Sequence, residues 1–144
     1  MALKMRFLYF SKKAQMKQLA SAIKTEFALT ENNNATDVIP PAYPCANERL
    51  VILGISGKGD LDDVVRRFCS QLDKKAAQNV AIFIDGDDKL AQNTMEVLKA
   101  AGTNVIDNTK MVKFNGLPFI GGKITDAEMK EYLDWAHTIV DSIK

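Results

Sequence analysis

The chain alternates two hydrophobic periods. Short continuous apolar runs are followed by segments whose apolar residues recur at helical spacing, the marks of buried strands and of helices with one buried face. The first run, Met5 to Phe10, stops at Ser11, and Met16, Leu19, Ala20, Ile23 and Phe27 follow at helical spacing. This predicts a strand from Lys4 to Phe10, a tight turn Ser11-Lys12-Lys13-Ala14-Gln15, and a helix from Ala14 to Leu29. The polar run Thr30 to Thr36 is a loop. Thr36 to Ile39 is a short second strand, ended by Pro40 and Pro41, which cannot continue a ladder.

The third strand is Leu50 to Ile55, followed by the loop Ser56-Gly57-Lys58-Gly59. Asp60 is the expected N-cap of the next helix, with Asp62 and Asp63 in its first turn. Leu61, Val64, Val65, Phe68 and Leu72 form that helix's apolar face. Asn79 to Asp85 is a fourth strand with the loop Gly86-Asp87-Asp88. The third helix carries Leu90, Thr94, Val97, Leu98 and Ala101 inward and stops at Gly102. A fifth strand lies within Val105 to Val112, and the segment from Lys113 to Lys123 is irregular. Thr125 caps the last helix, and Glu128 three residues on completes a capping box. The core stripe predicted for it is Met129, Leu133, Ala136, Val140 and Ile143.

Strands alternating with helices make an α/β fold with a parallel sheet covered on both faces. Five such strands in one 144-residue domain, residues 1–144, fit a doubly wound sheet of order 2-1-3-4-5. In such sheets the turn after the first strand is a common ligand site, because a helix start offers N–H groups and positive potential.

Composition narrows the function classes. Hydrophobic residues make up 47% of the chain, which suits a globular domain. Lys and Arg number 19 against 18 Asp and Glu, a formal net charge of +1, so nothing points to nucleic acid or to an anionic membrane. No apolar run approaches a membrane span, and the short N-terminal apolar stretch reads as a strand, not as a signal peptide. A cytoplasmic protein is expected. Two cysteines, Cys45 and Cys69, make neither a disulfide framework nor a redox pair. Cys69 falls on the inner face of the second helix. Cys45 lies in a proline-rich loop with no obvious basic neighbour. A single histidine, His137, leaves no multi-histidine metal site.

Four segments taken in order resemble the flavodoxin family over nearly the whole chain: MRFLYFSKKAQMKQLASAI, ATDVIPPAYPCANERLVILGISGKGDLDDVVRRFCSQL, NVAIFIDGDD and KFNGLPFIGGKITDAEMKEYLDWAHTIV. The resemblance implies a flavodoxin-like three-layer sandwich, FMN as cofactor, electron transfer to a redox partner protein, and no dedicated catalytic residues. Carried over position by position, the phosphate loop becomes Ser11, Lys12, Lys13, Ala14, Gln15 and Met16. The flavin loops become Ser56, Gly57 and Lys58 after the third strand, and Asp85, Gly86 and Asp87 after the fourth.

The phosphate loop departs from the family pattern, roughly Ser/Thr-x-Thr-Gly-x-Thr. Ser11 is kept, but Lys13 replaces a hydroxyl, Ala14 a glycine and Met16 a second hydroxyl. The glycine lets backbone N–H groups approach a phosphate closely. Neither flavin loop contains an aromatic to stack on the ring system, and the reserve aromatics are Tyr43 and Phe119. Lys12 and Lys13 offer charge in place of a hydroxyl cage. The expected function is therefore a binding or interaction module with weak or no FMN binding, more a binding protein than an enzyme. The alternative is an FMN-binding electron carrier.

Other constellations read as structural. Asp60, Asp62, Asp63, Asp85, Asp87 and Asp88 resemble a Mg²⁺ edge, but helix caps and turns account for them, and no metal site is expected. Gly57-Lys58-Gly59 lacks the remainder of a nucleotide-loop motif. Trp135 and His137 belong to the last helix as packing and surface residues.

Overall fold

The computed structural model describes residues 4–29, 34–114 and 122–143. The sheet is built from β1 (Met5–Phe10), β2 (Thr36–Val38), β3 (Leu50–Ser56), β4 (Asn79–Asp85), β5 (Asn104–Val105) and β6 (Lys110–Val112). All pairings are parallel, in the order β2-β1-β3-β4-β5, with β6 also on β4. Helices α1 (Ala14–Glu26) and α4 (Asp126–Ser142) cover one face, and α2 (Asp63–Cys69) and α3 (Asp88–Ala101) the other. This is the flavodoxin-like three-layer sandwich. The expected single fifth strand is two short pieces: β5 pairs with the start of β4 and β6 with its end.

Strand alternation sorts the core into two halves. Phe7, Leu50, Ile52, Ala81 and Phe83 point to α1 and α4, while Leu8, Val51, Leu53, Ile82 and Ile84 point to α2 and α3. Gly54 of β3 sits between Tyr9 and Phe83 in register. A Cβ there would lie 2.7 Å from Met16 Sδ and 2.8 Å from Phe7 Cζ. The helix α1 can settle on the sheet because this strand position has no side chain.

Several helix details differ from expectation. The N-cap of α2 is Asp62, whose carboxylate accepts from Val64 N–H at 2.9 Å, not Asp60. Val64 then faces outward, 36% exposed. The helix α1 ends at Glu26, and Ala28 has φ of 54°. In α4 the buried side is Tyr132, Trp135, Ala136, Ile139 and Val140, with Met129, Leu133 and Ile143 on its flank. The predicted stripe is rotated because three aromatic rings set the contact: Phe83 meets Tyr132 and Trp135 at centroid distances of 5.2 and 5.9 Å. Trp135 is packing, and its Nε1–H donates to Asn108 O at 2.8 Å. The Thr125–Glu128 capping box is present, and Gly102 ends α3 with φ of 110°.

Between β2 and β3, residues 39–49 contain no helix. Arg6 of β1 lies beneath this connection, 2% exposed. Its Nε donates to Asn34 O at 2.8 Å and its Nη1 to Tyr43 O at 2.9 Å. A guanidinium thus supplies donors for carbonyls that no helix ladder satisfies.

Candidate functional site

The polar residues at the end of the sheet follow from the same alternation that built the core. Ser11, Ser56 and Asp85 each lie two residues beyond an α1-facing core position, namely Tyr9, Gly54 and Phe83. Ser56 and Asp85 are register partners. The three side chains form a continuous chain: Ser11 Oγ and Ser56 Oγ are 2.7 Å apart, and Ser56 Oγ–H donates to Asp85 Oδ2 at 2.8 Å. With its proton so directed, Ser56 accepts the proton of Ser11.

Asp85 is 3% exposed and fully engaged. Its Oδ2 also receives Lys13 Nζ at 2.9 Å, and its Oδ1 accepts Phe114 N–H at 2.9 Å. Lys13 Nζ further donates to Phe114 O at 3.2 Å. One carboxylate therefore joins the start of α1, the end of β3, the end of β4 and the chain after β6. A buried carboxylate needs such partners, since an unpaired one in that setting is strongly disfavoured.

Above this network is an open cavity of about 810 Å³, within the usual range for small-molecule sites. Nine sequence-predicted residues line it: Ser11, Lys12 and Lys13 from the first turn, Ser56, Gly57 and Lys58 from the second, and Asp85, Gly86 and Asp87 from the third. Three do not. Ala14 is half-buried at the start of α1, Gln15 is buried, and Met16 is wholly buried against Gly54 and Phe7. The last position of the expected phosphate loop thus belongs to the core, because it falls on the inward face of α1. Gly86 packs so closely that a Cβ would collide with Gly57 O.

The cavity also has aromatics that the sequence reading missed. Tyr9 and Phe10 from the end of β1, and Phe114 after β6, line it together with Val38, Ile39 and Lys113. Their signal was position, since the last residues of parallel strands border the edge crevice. The reserve aromatic Tyr43 does not line the cavity and is 60% exposed, because its loop is tethered by its carbonyl to Arg6. Phe119 lies outside the described residues. Burial, with Asp37 nearby, pushes the Tyr9 phenol above its ordinary pKa.

The aspartates divide by role. Asp87 caps α3, accepting Leu90 N–H at 2.9 Å and Gly59 N–H at 3.0 Å. These bonds hold its carboxyl below the usual range. Asp62 caps α2, and Asp60 accepts from Asn93 Nδ2 at 3.3 Å. Among the described residues, no three His, Cys, Asp or Glu side chains gather as metal ligands.

At the first turn, Lys13 N–H donates to Ser11 Oγ at 3.1 Å and Met16 N–H to Lys13 O at 3.2 Å. The start of α1 has no side-chain cap. Outside the cavity, Cys45 Sγ accepts from Arg6 Nη1 at 3.7 Å, a basic neighbour brought from β1. Burial outweighs that cation and raises the Cys45 thiol. His137 is exposed, 2.7 Å from Glu26 Oε2 and with its ring tilted against that of Phe27.

No protein-family model and no curated protein matches this chain. Among the described residues, no helix is long and apolar enough to cross a membrane.

Proposed function

We propose that this protein is a cytoplasmic, flavodoxin-like binding module whose FMN site has degenerated. The observation that carries the reading is the inward turn of Lys13. It stands where the family pattern has a hydroxyl, yet its ammonium is 2.9 Å from buried Asp85 and 3.2 Å from Phe114 O. A phosphate cage needs donors aimed outward from the helix start. Here the Ser11 hydroxyl accepts Lys13 N–H, Met16 N–H is bonded to Lys13 O, and the Met16 side chain is in the core. Ala14 adds a Cβ where a glycine would let the backbone approach. These residues do not fit a phosphate cradle.

Binding is favoured over catalysis by the same network. The Ser56 hydroxyl and the Lys13 amine are both committed to Asp85. The two cysteines are free thiols, in keeping with a reducing compartment.

A second reading, an FMN-dependent electron carrier serving a redox partner protein, draws on the cavity itself. Its volume of about 810 Å³ and its Tyr9, Phe10 and Phe114 lining suit a planar ring system. Titration of FMN with the purified protein, followed by flavin fluorescence, separates the two. Under the proposed reading, fluorescence is unquenched up to roughly 100 µM FMN, where binding free energy is only about 5–6 kcal/mol. Saturable quenching in the low micromolar range would overturn it in favour of the second.

A further inference from the structure

The floor and rim of the cavity differ in chemistry. Tyr9, Phe10, Ile39 and Phe114 give the lining an aromatic, apolar character, and the polar atoms beneath it are already paired. The charges that remain have a positive excess, three lysines against the Asp87 carboxylate. The carboxylate of Asp85 is neutralised by Lys13, and that of Asp87 is held by Gly59 N–H and Leu90 N–H. Lys12, Lys58 and Lys113 come from three different loops, all are exposed, and all line the cavity. None forms an ion pair among the described residues.

Resting on the reading of the site as a degenerate FMN pocket, we propose that the cavity takes an aromatic monoanion without a phosphate group. The ring system lies against Tyr9, Phe10 and Phe114, and a carboxylate- or sulfonate-type charge meets the lysine rim. Aromatic rings gain from offset or edge contacts with one another. Flexible ammonium groups act as point charges and make little geometric demand on a singly charged group. A phosphate requires convergent donors, and two of the turn's own donors, the N–H groups of Lys13 and Met16, are engaged internally. Because the rim lysines are exposed, the aromatic body supplies most of the affinity and the charge supplies selectivity.

The matched probes 8-anilinonaphthalene-1-sulfonate and N-phenyl-1-naphthylamine test this, since they share one ring system and differ by the sulfonate. With native full-length protein at low salt, the sulfonate probe is expected to bind with one-to-one stoichiometry, about tenfold tighter than the neutral probe. In the Lys12→Ala/Lys58→Ala/Lys113→Ala variant that preference is lost while neutral-probe binding persists. Val38→Asp, which places a carboxylate on an exposed lining residue, weakens the sulfonate probe selectively. Equal affinity for the two probes, or a preference unchanged in the triple variant, overturns the monoanion assignment. Absence of both probes together with absence of FMN binding overturns this inference and leaves the degenerate FMN site standing. Tight FMN binding instead overturns the reading on which the inference rests.

Discussion

Lys13 Nζ lies 2.9 Å from Asp85 Oδ2, across the gap between the first turn and the end of β4. The pair is asymmetric: the lysine side chain is 24% exposed and the aspartate 2%. The carboxylate is therefore the member that depends on its partners. Asp85→Ala removes the acceptor of three donors, Lys13 Nζ, Ser56 Oγ and Phe114 N. We expect a loss of about 2–3 kcal/mol, moderated because Lys13 can turn to water. Asp85→Asn keeps one acceptor oxygen and should lose less. Urea unfolding measures both, and an alanine variant as stable as the parent would contradict the role assigned to this network.

Gly54 and Met16 should be energetically coupled. Gly54→Ala puts a Cβ 2.7 Å from the Met16 sulfur, an overpacking expected to cost about 1–3 kcal/mol. Met16→Ala alone opens a cavity and costs about 2–5 kcal/mol. The double variant should be better than the sum of the two by about 1 kcal/mol or more. Strict additivity in a double-mutant cycle would show that the two positions do not meet.

Two helix caps give the stability a defined acid limb. Backbone hydrogen bonds hold the Asp87 carboxyl below its ordinary 3.8, and the Thr125 backbone bond holds Glu128 below 4.5. A folded-state pKa below the unfolded one adds stability that is complete above the unfolded value. It is lost as pH falls through the folded value, so the loss begins near pH 4.5 and deepens below 3.8. Thermal melts from pH 6 to 3 should show a shallower acid decline for Asp87→Asn and for Glu128→Gln than for the parent. Parallel declines in all three would rule out these caps as its source.

Arg6 fastens the connection over residues 39–49 through Tyr43 O and, at the preceding loop, through Asn34 O. Arg6→Met keeps much of the apolar stem and removes the donors. Amide hydrogen exchange followed by mass spectrometry should then quicken in residues 34–46, with β3 and β4 protected as before. Unchanged exchange in that segment would mean other contacts hold it.

The two thiols should react very differently. Cys69 is wholly buried, and burial pushes its thiol up to about 12. At pH 8 only about one molecule in ten thousand carries its thiolate. Cys45 is half-buried. A disulfide reagent at pH 8 should label one thiol slowly in the native protein and two in denaturant. Rapid labelling of both in the native state would place Cys69 elsewhere.

Much of the fold was legible before any coordinate. Apolar runs marked β1, β3 and β4, and β4 from Asn79 to Asp85 was read at its observed limits. Thr125 with Glu128 and Gly102 announced their helix ends, because capping is decided by neighbours in sequence. The start of α2 is less plain in the sequence, since Asp60, Asp62 and Asp63 all suit a cap, and in the structure Asp62 takes the role. The rotation of α4 was likewise illegible: it depends on which ring of Phe83, Tyr132 and Trp135 fills which space.

For the site, the order of residue types alone marks the three loops and places Lys13, Ala14 and Met16 where the flavodoxin pattern has hydroxyls and a glycine. Those are local facts of residue type and order. Tertiary structure alone decided that Lys13 turns inward while Lys12, Lys58 and Lys113 stay at the rim. It also brought Tyr9, Phe10 and Phe114 to one cavity and set Met16 in the core. The reason is register: parallel pairing aligns the ends of β1, β3, β4 and β6, so residues far apart in the chain share one edge. A buried carboxylate at that edge then draws in whichever cation and N–H it can reach, and no local pattern records which those are.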